Sequence, residues 1–361
     1  MIHIKTGVAT LCTSFFIYAT AHAHSGVVLY GRVDQSLGYI HSSSGNSIVG
    51  INDGAILRSR IGVRGTDDLA NGNAITYALE QGISADSGEQ AVAGRIFDRQ
   101  AWIGHKSAIG EFRIGRQNSE LFYAGGAYDY VASTTFGSVR NSFGSLARTD
   151  NDVSYQSPRI DGMRLAVHHA LAEDCVANNR CASTSQIVLD RTLGRYRIGY
   201  AGMVSRPRVA SATEEKKRSH NFYATYDYGS GTIYGVFTSA NNETGEALVT
   251  HATVDGNSNP LFHIYQISAD YRFGNKVRVG ALWGVISDRS GQASGARGAN
   301  VGGFYEPSKR TTLYAFASWL KNDANAGFRF SGSAPPSANL EGSDVVGKSL
   351  IGFQLGITHA F

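Results

Sequence analysis

Tyr265-Gln266-Ile267-Ser268-Ala269-Asp270-Tyr271-Arg272-Phe273, then Gly274-Asn275, then Val277-Arg278-Val279-Gly280-Ala281-Leu282-Trp283-Gly284-Val285 is the stretch whose reading decides the fold. In its first half every second residue is apolar and those between are polar or charged. In its second half Val277, Val279, Ala281, Trp283 and Val285 alternate with Arg278, Gly280, Leu282 and Gly284. Side chains of a β-strand point alternately to opposite faces, so a period of two marks strands with one apolar face. The Gly-Asn pair between the two runs is a hairpin signal.

The same pattern spreads outward in both directions. Tyr196, Ile198 and Tyr200 alternate with Arg195, Arg197 and Gly199, and Phe222, Ala224, Tyr226 and Tyr228 with Asn221, Tyr223, Thr225 and Asp227. At the end of the chain Ile351, Phe353, Leu355, Ile357 and Phe361 stand against Gly352, Gln354, Gly356 and Thr358. Read in order, the predicted strands cover 27–40, 56–66, 72–86, 95–107, 111–119, 151–158, 162–172, 185–192, 195–205, 218–228, 232–241, 261–273, 276–288, 299–306, 311–321 and 349–361. That gives sixteen, an even number as closure of an antiparallel sheet requires. Alternation is weakest at 185–192 and 299–306, so fourteen or eighteen are the neighbouring counts. Tight turns at 67–71, 107–110, 158–161, 229–231 and 274–275 separate long polar stretches at 41–55, 120–150, 206–217, 242–260 and 322–348.

An apolar strand face must meet either a second sheet or lipid. Three features favour lipid. Tyr, Phe and Trp gather near strand ends, as the girdles of a membrane barrel require. Strands run to about ten residues, the length that crosses a bilayer at a tilt, against the usual five or six. Short turns alternate with long loops, which is the pattern of bacterial outer-membrane barrels. The predicted fold class is therefore all-β, a transmembrane antiparallel barrel. An open edge would leave backbone groups unpaired in hydrocarbon, so the first and last strands should pair. A barrel of this size holds water in its lumen.

The ends and the composition fit export. His3 and Lys5 precede an apolar run from Val8 to Ala19, and Ala21-His22-Ala23 has the small-x-small spacing of a signal-peptidase site, so cleavage is expected after Ala23. The run is too short for a membrane-spanning helix, which needs about 20 residues, and Cys12 within it lacks a lipoprotein context. The expected division is a leader at 1–23 and a barrel at 24–361. Loss of the leader removes Lys5 alone among charged residues, from totals of 33 basic and 29 acidic. So slight a basic excess does not argue for nucleic acid. Cys175 and Cys181 remain, and an even pair in an exported chain reads as a disulfide closing a small loop, with two free thiols as the alternative. No zinc-ligand spacing accompanies them, and nothing in the sequence calls for a cofactor.

Several fragments together resemble the general porins of Gram-negative bacteria, particularly those of β-proteobacteria. The opening Val28-Leu29-Tyr30-Gly31-Arg32-Val33-Asp34 is similar to the family's first strand, and Ser59-Arg60-Ile61-Gly62-Val63-Arg64-Gly65-Thr66-Asp67-Asp68-Leu69 to its second strand and first turn. Phe112-Arg113-Ile114-Gly115-Arg116-Gln117 resembles the strand entering the constriction loop. Arg148, Asn151, Val153, Tyr155, Ser157, Pro158 and Gly162 match the place where the chain leaves it. Gly356-Ile357-Thr358-His359-Ala360-Phe361 resembles the terminal strand, in which the final Phe361 is the assembly machinery's signal. The resemblance implies a homotrimer in outer-membrane lipid and passive diffusion of small hydrophilic solutes.

Selectivity in a wide pore comes from charge at its narrowest point. Period two puts Arg58, Arg60 and Arg64 opposite Ile61 and Val63, hence toward the lumen, and Arg32 opposite Val33. The resemblance assigns Arg32, Arg60, Arg116 and Arg148 to a basic wall facing an inward-folded third loop, with Arg99 as a fifth; parity alone would turn Arg99 outward with Ala101 and Ile103. The loop is expected at about 119–149. Its tip reads Thr134-Thr135-Phe136-Gly137 where many members carry Pro-Glu-Phe-Gly, so a carboxylate facing the arginines is missing and Glu120 and Asp129 are the nearest acids. The expectation is anion preference.

Two other classes were weighed. A barrel enzyme would need converging groups, whereas period two sends the neighbours His168 and His169 to opposite faces, and no nucleophile elbow or phosphate loop appears. A substrate-specific channel for sugars, phosphate or carboxylates would show stacking aromatics. Tyr123, Tyr128 and Tyr130 could serve, or could pack the loop.

Overall fold

The computed structural model of the chain describes residues 26–144, 146–172, 182–206, 217–241, 261–332 and 339–361. The expected leader, Cys175, Cys181 and the stretch 242–260 lie outside these residues.

Sixteen antiparallel strands form one closed sheet. In chain order they are β1 Gly26–Ser42, β2 in two parts (Ser47–Asp53 and Arg60–Asp68), β3 Ala74–Ser84, β4 Gln100–Ser107 and β5 Gly110–Asn118. They continue with β6 Arg148–Gln156, β7 Met163–Leu171, β8 Ser183–Leu193, β9 Tyr196–Arg206, β10 Lys217–Asp227 and β11 Thr232–Asn241. The last five are β12 Leu261–Phe273, β13 Val277–Asp288, β14 Ala296–Tyr305, β15 Thr311–Asn322 and β16 Ser349–Ala360. The two segments of weakest alternation, 185–192 and 299–306, are full strands (β8 and β14).

Closure is made by β1, which runs 17 residues and serves two neighbours. One edge pairs with β2, from Gly26 opposite Thr66 to Arg32 opposite Arg60. The other pairs with β16, from Arg32 opposite Ala360 to Ser42 opposite Leu350. Gly31 and Phe361 exchange both backbone hydrogen bonds at 3.1 Å. A Cβ on Gly31 would strike the Phe361 ring at 2.2 Å, so the close approach requires glycine there. The terminal Phe361 thus belongs to the seam.

The stretch 41–55, expected as a loop, is mostly strand: Ser47–Asp53 pairs with Gln35–His41, leaving a turn at 43–46. What the alternation hid is a break inside β2 at 54–59. Asp34 closes it. Its carboxylate accepts the backbone N–H groups of Ile56 (3.3 Å) and Leu57 (3.0 Å) and the Tyr314 hydroxyl (2.7 Å). Backbone donors freed by the break find partners instead of remaining unpaired within the wall.

The apolar face points outward. Ile267 is 57 % exposed and Phe273 56 %, whereas Gln266 and Ser268, which flank Ile267 and point to the inner face, are 4 % and 3 % exposed. A water-soluble sheet would have the opposite sense, so the medium outside is hydrocarbon. Near the turn ends of the strands, rings pair on this outer face: Tyr196 with Tyr226 at 4.8 Å, Tyr271 with Phe273 at 4.7 Å and Phe112 with Tyr155 at 4.7 Å. They form one girdle; Tyr39–Phe353 and Phe237–Tyr265 lie toward the loop ends.

The segment between β15 and β16, part of the long polar stretch at 322–348, folds inward over the mouth. Asn322 Nδ2 donates to the carbonyls of Phe328 (2.9 Å) and Val345 (3.0 Å). Phe328 and Phe330 are fully buried and pack on Phe143, Phe262 and Phe136. Polar composition suggested a solvated loop; two aromatic side chains in it overrode that by finding an apolar partner inside.

The fold predicts the effect of a misplaced charge. Leu355, on the outer face midway along β16, should cost about 2–4 kcal/mol when replaced by arginine. Urea unfolding of the protein reconstituted in lipid vesicles checks this: Leu355→Arg should shift the midpoint strongly and Leu355→Ala much less.

Candidate functional site

Loop 3 leaves the wall after Asn118 and returns at Arg148. It carries two short helices, α1 (Glu120–Ala124) and α2 (Val139–Phe143), each capped by a serine hydroxyl: Ser119 accepts from the Phe122 N–H and Ser138 from the Asn141 N–H. A loop of this length inside a barrel needs partners for its backbone, and the inner faces of β8, β12, β14 and β16 supply them. The Glu120 N–H donates to Gln186 (3.0 Å), the Tyr130 N–H to Ser268 (3.1 Å) and the Arg140 N–H to Gln266 (3.1 Å). Asn300 Nδ2 donates to the Phe136 carbonyl at 3.1 Å. Gly280 on β13 lets the Tyr130 ring lie flat on the wall, since a Cβ there would sit 2.2 Å from it.

The loop residues singled out from sequence are therefore anchors. Thr135 and Phe136 are buried, Phe136 stacks on Phe330 at 5.7 Å, and Gly137 (φ 76°) turns the chain against Ser318 and Asn300. Asp129 does not face the arginines. It is buried and accepts from the N–H groups of Val131 and Ser133 and from Ser133 Oγ, Ser138 Oγ and Gln266 Nε2. Burial raises its carboxyl above the ordinary value against the pull of those donors. Glu120 pairs with Arg164 at 2.8 Å and lies 3.4 Å from His168 Nε2. Burial would raise its carboxyl, but hydrogen bonds from His168 and Arg164 outweigh it and hold it below the ordinary value. Tyr128 packs on Tyr223 and Tyr130 on Phe304; Tyr123 is the loop tyrosine that reaches the lumen.

Because loop 3 lies against β8–β16, the open passage is left along β1–β6, where the arginines stand. Arg32 and Arg60 are directly opposite each other across β1 and β2. Arg99 joins them, 1 % exposed, with its Nε 2.6 Å from Glu80. It lies in the bend that precedes β4, outside the strand, so the strand's parity, which would have sent it to lipid, does not set its direction. Glu80 also lies 3.7 Å from Arg60 and accepts the Tyr30 hydroxyl at 2.9 Å. Arg116 donates to the Asp98 carbonyl and pairs with Asp150, which binds Arg95 as well at 2.9 Å. Arg58 sits in the break of β2, 3.8 Å from Asp53.

Two guanidinium groups beside this web make no close ion pair. Arg32 donates to Thr358 Oγ1 at 3.2 Å, and Arg148 lies over the Phe122 ring at 5.6 Å. Neither has an acid within ion-pair distance among the described residues. Arg64 stands further toward the turn end, over Tyr30 at 5.0 Å. The hub that sequence reading missed is Glu80. Period two already placed it inward with Thr76 and Ala78, but nothing local indicated that Arg60 and Arg99 would converge on it.

His168 and His169 diverge as period two requires: His168 is buried beside Asp152 (2.7 Å), and His169 is exposed beside Ser185 (2.9 Å). Among the described residues no three His, Cys, Asp or Glu side chains form a metal-binding group.

A family model for Gram-negative porins matches residues 9–325. This chain belongs to that family. Outer membrane porin protein 32 of Delftia acidovorans is 26 % identical over 366 residues, covering 94 % of the chain and 95 % of the relative. Major outer membrane protein P.IB of Neisseria meningitidis serogroup A is 27 % identical, covering 83 % and 89 %. A solved structure described as an anion-selective porin from Comamonas acidovorans superposes with a TM-score of 0.78 at 23 % identity, over 93 % of the chain and 100 % of its own length, and shows the shared fold. The protein is an outer-membrane porin, a water-filled barrel with an inward third loop.

The web around Glu80 should be costly to break. Removing one partner of a buried ion pair costs about 3–5 kcal/mol because the other charge is stranded. Glu80→Ala should lower the urea midpoint of this porin in detergent micelles by a corresponding amount, while Glu80→Gln, which keeps an acceptor for Arg99 and Tyr30, should lose clearly less.

Proposed function

We propose that this porin passes small hydrophilic solutes by diffusion with a preference for anions, as a passive channel without enzymatic activity. The observation that carries the reading is an imbalance across the passage. On the wall, Arg32 and Arg148 have no acid within ion-pair distance among the described residues. On the loop, both expected acids are engaged elsewhere, Glu120 by Arg164 and Asp129 by hydroxyl, amide and backbone donors. A passing anion meets cationic heads in a narrow, low-dielectric surround, which raises its local concentration. The likeness to a structure described as anion-selective supports the same direction.

The reading includes a homotrimer, as the resemblance implies, cleavage of residues 1–23, and a Cys175–Cys181 disulfide. Unheated gel electrophoresis should show the trimer as a band that collapses to monomer on boiling. The intact mass of protein extracted from outer membranes reads the other two, through a mature start at His24 and the loss of two thiol hydrogens.

Reversal potentials across planar bilayers under a potassium chloride gradient test the selectivity. Wild-type channels should favour chloride. A unit charge met at about 5 Å in water is worth ~0.8 kcal/mol, about three- to fourfold in the local concentration of each ion and opposite in sign for chloride and potassium, so Arg32→Gln and Arg148→Gln should each reduce the chloride-to-potassium ratio by roughly tenfold. A wild-type cation preference, or ratios unmoved by both substitutions, would overturn the assignment.

A further inference from the structure

The lumen holds a second concentration of charge and rings, nearer the turn end than the arginine row. The register places Arg64 opposite Val28 and Ala78, Ala78 opposite Trp102, and Gly104 opposite Arg113. Four residues separate Arg60 from Arg64, about 13 Å along the strand. Here five neighbouring strands and loop 3 enclose a cleft whose lining includes Tyr30, Arg64, Trp102, Lys106, Arg113 and Tyr123.

Its chemistry differs from that of the row above. The Arg113 guanidinium lies 4.2 Å over the Trp102 ring and Arg64 5.0 Å over Tyr30. Glu111 offsets Arg113, with which it pairs at 2.7 Å, and also accepts the Thr76 hydroxyl at 2.7 Å. Arg64 is exposed and has no acid at ion-pair distance among the described residues, while Lys106 stands directly opposite Glu111 in the register. Tyr123 is 40 % exposed, and its phenol oxygen accepts from Asn118 Nδ2 at 3.1 Å. An inorganic anion can use only the charges of this cleft. A planar aromatic acid can use more: its carboxylate meets Arg64, and its ring meets the Trp102, Tyr123 and guanidinium faces.

We propose that this cleft is a binding station for small aromatic carboxylates of the benzoate type, separate from the arginine row. The proposal rests on the channel reading and adds to it a solute class with a saturable site. The test compares benzoate with cyclohexanecarboxylate, equal in charge and similar in size but lacking a π-face, as blockers of chloride current through single channels in planar bilayers. Benzoate should reduce the current saturably, and cyclohexanecarboxylate should need a concentration about five- to tenfold higher. Each cation–π or stacking contact is worth about 0.5–1 kcal/mol at an exposed site, a factor of about two to five. Trp102→Leu and Tyr123→Leu should therefore each weaken benzoate block by that factor and leave cyclohexanecarboxylate block little changed, whereas Arg64→Gln should weaken both.

Equal block by the two acids in wild-type channels, or block that grows linearly without saturating, overturns the station even if no variant folds. Its failure is distinct from failure of the channel reading. In the first case conducting, chloride-preferring pores remain; in the second there is no current, or it is carried by cations.

Discussion

Hydrocarbon offers no hydrogen bond to a peptide group, and the rest of this molecule depends on that single fact. Each backbone donor and acceptor in the wall must find its partner within the sheet, so the sheet can have no edge. β1 answers the requirement by pairing with β2 on one side and β16 on the other, and Gly31 and Phe361 complete the seam with reciprocal bonds. Where the ladder lapses, at 54–59, the Asp34 carboxylate substitutes for a strand. That places an ionisable group inside the wall for a structural purpose, two residues from Arg32 and next to the passage.

Closure creates the interior, and the interior is divided unequally. Loop 3 spends its polar backbone on Gln186, Gln266, Ser268 and Asn300, and its apolar side chains join Phe262, Phe328 and Phe330 in a packed cluster. The lumen beside β8–β16 is thereby filled like a soluble core, with the segment before β16 acting as its outer layer. The passage survives along β1–β6, where charge is too dense to be packed dry. Loop anchoring and the arginine row fall on different strands: β8–β16 hold the loop and β1–β6 carry the arginines. The acids that moderate those arginines, Glu80, Asp150 and Asp53, come from the basic wall and its adjoining loops and not from loop 3.

Much of this is legible in the sequence alone. Side-chain direction in a strand is a local property with a period of two, so the alternation at 265–285 stated which residues meet lipid, and Arg32, Arg60 and Arg64 could be turned toward the lumen from parity alone. Legibility ended wherever the period was interrupted. Arg99 enters the passage from the bend before β4, where parity no longer applies, and the break in β2 separated the short strand at 47–53 from the rest of its period.

The sequence by itself determined an exported barrel, its approximate strand count, the inner and outer faces, and a cluster of arginines with no acidic loop tip. The tertiary structure decided which acids those arginines meet, that Asp129, Thr135 and Phe136 anchor the loop, and that Phe328 and Phe330 fold inward. The reason is the range of the interactions involved. Alternation repeats over two residues and can be read in a short window, whereas Arg60 meets Glu80 and Phe136 meets Phe330 only after closure brings distant segments into one lumen.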